Sequence, residues 1–174
     1  KIINQKNSGA NAARKTGFLK SRGQYIVFVD GDDWVEPNLA QNMYNIASEK
    51  KYDIISFGHY IADDFNKKED IIKNNGILKE YNYLDLILER KLSHNLWNKF
   101  FERKFLEKAD FVSIPNITMG DDLAANVRFG LFKPNVLIIK EFYYNYYQNQ
   151  KSVTRQISSK VLEIEETIED IERI

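Results

Sequence analysis

Apolar positions recur along the chain in two rhythms, and the switches between them predict alternating helices and strands. Residues 25–29, Tyr-Ile-Val-Phe-Val, form an unbroken apolar run of strand length, which reads as a strand covered on both faces, as in a parallel sheet. Ahead of it, residues 10–22 place Ala10, Ala13 and Gly17 on one helical stripe followed by Phe18, and small residues there let a helix approach a sheet closely. Gly23 closes that helix. Beyond the strand, Pro37 is positioned to begin a helix whose Leu39, Met43, Ile46 and Ala47 fall at i, i+4, i+7 and i+8, and residues 53–60 read as the next strand.

Downstream the signals are shorter. Residues 61–80 are polar and charged, with Ile71-Ile72 and Ile77-Leu78 as weak strand candidates around an Asn74-Asn75-Gly76 turn. Residues 83–91 predict a helix, residues 96–101 a short apolar and aromatic segment, and Leu123, Val127 and Leu131 another helix. Residues 136–139 and 142–147 predict two strands, and on the second Tyr144 and Tyr146 share one face while Tyr143 and Tyr147 share the other. Val161, Ile164, Ile168 and Ile171 close the sequence at helical spacing. Helix-strand-helix-strand order is the pattern of an open, mostly parallel α/β sheet with flanking helices, in which ligands bind beyond the carboxyl ends of the strands.

Composition narrows the function more than the fold. With 174 residues, 43% hydrophobic and 29% charged, the chain is globular and of a size for one domain. Lysine plus arginine equals aspartate plus glutamate at 25 each, so no excess positive charge points to nucleic acid or an anionic membrane. The absence of cysteine excludes disulfides, thiolate metal sites and a cysteine nucleophile, and fits a reducing, cytoplasmic compartment. No apolar run is long enough to span a membrane. Lys1-Ile2-Ile3-Asn4-Gln5 reads as a strand already in progress, and the sequence stops on Ile174 without a helix cap, so a piece of a longer protein is the expectation, with membrane association of the full-length protein left open beside a cytoplasmic location.

The chemistry concentrates in Asp30-Gly31-Asp32-Asp33, which follows the buried strand. Three carboxylates within four positions repel one another unless a cation or several hydrogen bonds hold them. Oxygen-only ligands favour Mg²⁺ or Mn²⁺, which commonly use one or two carboxylates together with substrate phosphates. An exposed acidic turn capping the next helix is the plainer alternative. A calcium loop beginning at Asp30 fails, because Val35 and Gln41 stand where such a loop needs Gly and Glu. A haloacid-dehalogenase-type phosphatase stays as an alternative, although Trp34 replaces the Thr or Val which that resemblance calls for. The lone histidines His59 and His94 read as packing or surface residues.

Asn7-Ser8-Gly9-Ala10-Asn11-Ala12-Ala13-Arg14-Lys15-Thr16-Gly17, then the apolar strand, then Asp30-Gly31-Asp32-Asp33, resembles the ordered motifs of the inverting glycosyltransferase family 2 with its GT-A fold. Lys15 departs from the Asn usual there. The resemblance runs to about Arg155: Trp97-Asn98-Lys99 looks like the family's Trp-Asn-Lys segment, Gly120-Asp121-Asp122 like its Gly-Glu-Asp motif, and Ser152-Val153-Thr154 like the close of its catalytic core. It implies residues 1–155 as a partial GT-A (Rossmann-like) catalytic domain and residues 156–174 as a helix continuing onward.

The resemblance also implies roles. Asp32 and Asp30 would hold Mn²⁺ or Mg²⁺, Arg14 would join them at a nucleotide-sugar donor, and Asp122 would be the catalytic base. Trp97, Lys99 and Asp121 would lie on the side of a carbohydrate or glycoconjugate acceptor. Taken without the ordered motifs, Asp121 and Asp122 would read as a helix N-cap pair. In that family the nucleobase-binding strands precede the Asn-x-Gly stretch, so residues 1–174 alone are expected to bind donor weakly and to offer a sheet edge for pairing with a second copy. Bacterial surface polysaccharide or glycoconjugate synthesis follows by family analogy, and a non-catalytic carbohydrate-binding or assembly module is the alternative from another class.

Overall fold

A computed structural model describes residues 1–64, 66–70, 76–77, 82–114 and 120–148, and the structural statements below concern these residues. Helix α1 (Gly9–Lys20) leads into strand β1 (Tyr25–Val27), then come β2 (Trp34–Val35), α2 (Leu39–Glu49), β3 (Ile54–Ala62), β4 (Lys67–Glu69) and β5 (Gly76–Ile77). Next are α3 (Tyr83–Leu88), β6 (Lys99–Glu102), α4 (Arg103–Lys108), α5 (Asp121–Leu131) and the long β7 (Val136–Tyr147). The strands form one sheet in the order β1-β6-β3-β7-β2, with β4 on β3 and β5 on β7.

The open α/β sheet expected from the sequence is present, but it is mixed rather than mostly parallel, since five of its six strand pairings are antiparallel. β3 and β7 are parallel, whereas β6 runs antiparallel to both β1 and β3. Strands β1, β3 and β7 therefore point the same way with β6 reversed between two of them, and β2, β4 and β5 also pair antiparallel. The carboxyl ends of β1, β3 and β7 share one rim of the sheet.

Both faces of the sheet are covered, as the apolar run at 25–29 anticipates. Ile26 and Phe28 join Phe18 of α1, Leu86 of α3, Phe105 of α4 and Phe129 of α5 in one core. Tyr25 and Val27, pointing the other way, pack with Leu39, Met43 and Ala47 of α2 and with Phe57 and Trp97. The layers are helices, sheet, helix.

Three local expectations change. Ala10, Ala13 and Gly17 are exposed and line a cavity of about 620 Å³ beside β1. The inward stripe of α1 is instead Asn11, Arg14, Lys15 and Phe18, at i, i+3, i+4 and i+7, all buried or half-buried. Residues 1–5 make no strand pairing among the described residues, and Ile2 is 90% exposed. Finally, residues 136–139 and 142–147 belong to one strand interrupted by bulges opposite Ser56, Gly58 and His59. Ile71, Ile72, Leu78, the Ser152-Val153-Thr154 stretch, the closing helix and the boundary near residue 155 lie outside the described residues.

Candidate active site

The site is built where the shared rim of β1, β3 and β7 meets α1 and the start of α5. Arg14 reaches it because its position on α1 faces inward, and its guanidinium collects three carboxylates from two distant parts of the chain. Nη2 donates to Asp30 Oδ1 at 2.8 Å and Oδ2 at 3.2 Å, while Nη1 donates to Asp122 Oδ1 at 2.9 Å and Asp121 Oδ2 at 3.2 Å. Burial opposes the Arg14 charge, but the surrounding carboxylates, Asp122 foremost, raise its pKa above the ordinary value. Its Nε is buried and has no hydrogen-bond partner among the described residues.

Asp121 and Asp122 occupy the first turn of α5, where the helix dipole favours anions. Gly120 precedes them at φ +89°, a backbone conformation that glycine adopts without strain. Burial and the neighbouring Asp122 push Asp121 up to about 6 against the pull of Arg14. Burial likewise raises Asp122, opposed by Arg14 and by the Leu96 N–H. That N–H donates to Asp122 Oδ2 at 3.1 Å, so each carboxylate oxygen holds one donor and keeps acceptor capacity.

The segment carrying Leu96 is braced from within. The Lys99 ammonium donates to the carbonyls of Ser93, at 2.6 Å, and Asn95, and to Asn98 Oδ1 at 3.2 Å, which occupies all three of its protons. Burial lowers its pKa to about 7. Lys99, expected on the acceptor side, is thus fully enclosed and serves the loop rather than a ligand, because the alternation of β6 turns its side chain inward. Asn126 adds a second tie, donating to the carbonyls of His94 and Asp122.

On the acidic turn the three aspartates diverge. Asp33 faces inward, accepting from the Tyr144 hydroxyl at 2.6 Å and the Tyr147 N–H at 2.8 Å, and the same hydroxyl accepts from the Asp30 N–H at 3.1 Å. Asp30 is half-buried on Arg14, while Asp32 is exposed and makes no hydrogen bond or ion pair among the described residues. No group of three His, Cys, Asp or Glu side chains is arranged to hold a metal among those residues. Two oxygen donors with a free carboxylate fit Mg²⁺ or Mn²⁺ only if a phosphate ligand completes the shell.

Asp30 and Asp122 open onto a cavity of about 370 Å³, at the lower end of the range for small-molecule sites. Trp97, Tyr146 and Ile61 give it an apolar wall, and His59 and Asn95 add polar points. Trp97 stacks on Tyr144 at 4.4 Å and on Tyr146 at 5.7 Å between ring centres. His59 and Asn95 escaped the sequence reading. His59 could have been found from its place two residues beyond Phe57 and two before Ile61 on one strand face, whereas Asn95 sits in a loop with no periodicity.

An open sheet with an acidic turn and an acidic helix start gathered at its carboxyl rim is an arrangement of the GT-A fold. The crystal structure of Staphylococcus aureus TarS 1-349 in complex with UDP-GlcNAc matches at a TM-score of 0.76 and 14% identity, over 97% of this chain and 47% of that one. The profile of glycosyl transferase family 2 matches residues 1–115, and the chain belongs to that family. EpsH of Bacillus subtilis, a glycosyltransferase by name, is 28% identical over 94% of this chain and 48% of its own length. A cholesterol galactosyltransferase of Borreliella burgdorferi is 26% identical over 91% of this chain and 47% of its own. The chain spans about half the length of these relatives. No helix among the described residues is long and apolar enough to cross a membrane.

Proposed function

We propose that the protein transfers a sugar from a nucleotide-diphosphate donor to a hydroxyl of a carbohydrate or glycoconjugate acceptor, with inversion, in bacterial surface polysaccharide or glycoconjugate synthesis. The observation that carries this reading is the meeting of Asp30, Asp121 and Asp122 on Arg14 beside a cavity that Asp30 and Asp122 line. UDP-sugars are the first donors to try, since the structurally similar TarS was crystallised with UDP-GlcNAc.

In a single displacement the acceptor oxygen bonds to the anomeric carbon as the bond from that carbon to the diphosphate breaks, and the electron pair leaves on the diphosphate. The acceptor proton passes to Asp122, whose burial makes it a stronger base than a solvent-exposed aspartate. A well-placed base contributes roughly 10²- to 10⁴-fold. Arg14, which gathers Asp30, Asp121 and Asp122, is set to balance charge as the leaving group departs. Asp32, with Asp30, would hold Mn²⁺ or Mg²⁺, which when bound neutralises the departing diphosphate. One base, with no second carboxylate assigned as nucleophile, accords with inversion.

The test is Asp122→Asn in the full-length protein, assayed with UDP-sugars and Mn²⁺. Donor affinity should stay within a few-fold while turnover falls by roughly 10²-fold or more. Near-normal turnover would remove Asp122 from the role, and a wild type that consumes no nucleotide sugar would overturn the reading.

A further inference from the structure

The register of β3 against β7 shifts twice, between Ser56 and Gly58 and again between Gly58 and His59. Ser56 pairs with Ile138 and His59 with Tyr144, so three residues of β3 face six of β7. The extra residues invert the alternation of β7. Ile138 lies in the core on the α5 side, whereas Tyr144, an even count away, lies in the core on the α2 side. Gly58 permits the close approach, since a Cβ there would stand 2.8 Å from the Phe142 ring. The bulge thereby puts Tyr144 and Tyr146 on the same face as His59 and Ile61, around Trp97.

His59 is held firmly at this place. Its Nε2 lies 3.2 Å from Asp70 Oδ2, its carbonyl accepts from the Asp70 N–H at 3.0 Å, and its ring meets the Trp97 ring edge-on at 4.7 Å. Its Nδ1 makes no hydrogen bond to the protein among the described residues, and the side chain keeps 12% exposure, on the cavity that it shares with Asp122. A neutral imidazole held in this way both orients and offers a hydrogen-bonding nitrogen. Burial lowers the His59 pKa, in keeping with the neutral form.

We propose that His59 is an acceptor-binding residue, which holds one hydroxyl of a pyranose in the cavity while Asp122 faces the hydroxyl that attacks. The inference rests on the glycosyl-transfer reading. The wall has the chemistry of a sugar site: aromatic and aliphatic surface for the C–H face of a ring, and few convergent polar groups for its hydroxyls. Two carboxylates at the mouth disfavour an anionic acceptor group there.

Binding tests this without requiring turnover. In full-length protein carrying Trp34→Phe, so that Trp97 is the only tryptophan of residues 1–174, methyl pyranosides of glucose, galactose and N-acetylglucosamine are titrated against tryptophan emission. Further tryptophans elsewhere in the full-length protein are replaced in the same way. At least one sugar should give a saturable change, with half-saturation raised 10-fold or more by His59→Ala and less by His59→Gln, whose amide still hydrogen-bonds. No response to any pyranoside, or equal half-saturation in His59→Ala and its parent, overturns the proposal.

Turnover supplies the second arm. His59→Ala should raise the KM for the glycoside by a larger factor than it lowers hydrolysis of UDP-sugar by water. Equal losses in hydrolysis and transfer would place His59 on the donor side and sink the idea. A protein that binds pyranosides as expected but consumes no nucleotide sugar would refute the transfer reading alone. Should His59→Ala fail to fold, Asp70→Ala, which removes the acceptor that holds the ring, must weaken pyranoside binding in its place.

Discussion

Arg14 donates to Asp122 at 2.9 Å with one terminal nitrogen and to Asp30 at 2.8 Å with the other, so the candidate base and a candidate metal ligand share one cation. Each carboxylate is held in place by a charge that also stabilises the other. The two acidic stretches are thereby coupled before any ligand arrives.

Replacing Arg14 should expose that coupling. Arg14→Met leaves three carboxylates without their counter-charge in a largely buried site, and a loss on the order of 3 kcal/mol is expected in urea unfolding. The acid limb of the pH–rate profile should move upward, because Asp122, already raised by burial, loses the partner that pulls it down. An unmoved acid limb would separate Arg14 from the base.

Lys99 gives a prediction for stability against pH. Burial lowers its folded pKa to about 7 from an ordinary 10.5, so its contribution is present above the unfolded value and is lost as pH falls through 7. Stability of the wild type relative to Lys99→Met should therefore rise between pH 7 and 10, as seen in denaturant midpoints. The variant should also slow transfer through the loosened Leu96–Asp122 contact. A constant difference across that range would contradict the assignment.

Tyr144→Phe removes the hydroxyl that joins Asp33 to the Asp30 N–H. A destabilisation of about 1 kcal/mol is expected, since the half-buried Asp33 loses a donor. Affinity for Mn²⁺, followed by calorimetry in the presence of UDP, should fall with it, because the turn that presents Asp32 is less restrained.

Gly58→Ala tests the bulge. The added methyl would meet Phe142 at 2.8 Å and the Glu141 carbonyl at 3.1 Å, so a loss of about 1–3 kcal/mol is expected. A neutral effect on thermal melting would show that β7 shifts freely there.

Legibility from sequence followed the range over which each feature is encoded. The buried strand, the acidic turn and the helices α2 and α5 were readable because apolar periodicity and local acid clusters lie within a few residues of one another. Helix α1 was readable as a helix but not in its rotation: its inward stripe carries Asn11, Arg14 and Lys15, polar residues turned inward to serve the site, so an apolar criterion chose the wrong face. Strand β6 was seen only as an apolar segment, since four residues carry no mark of direction. Lys140 and Glu141 looked like a break between two strands, whereas they lie in β7 within the register shift between Ile138 and Phe142. Lys99 needed the tertiary fold, because its partners are loop carbonyls that no local pattern announces.

The reversal of β6 has a consequence for how this protein could diversify. A strand running against its neighbours begins where they finish, so the loop that enters β6 arrives at the ligand-facing rim without any crossover. Insertions or exchanges in that approach would reshape the wall around Trp97 while leaving every strand pairing intact. Recognition and scaffold would be separable in such an arrangement, since the approach to β6 can vary without disturbing the sheet.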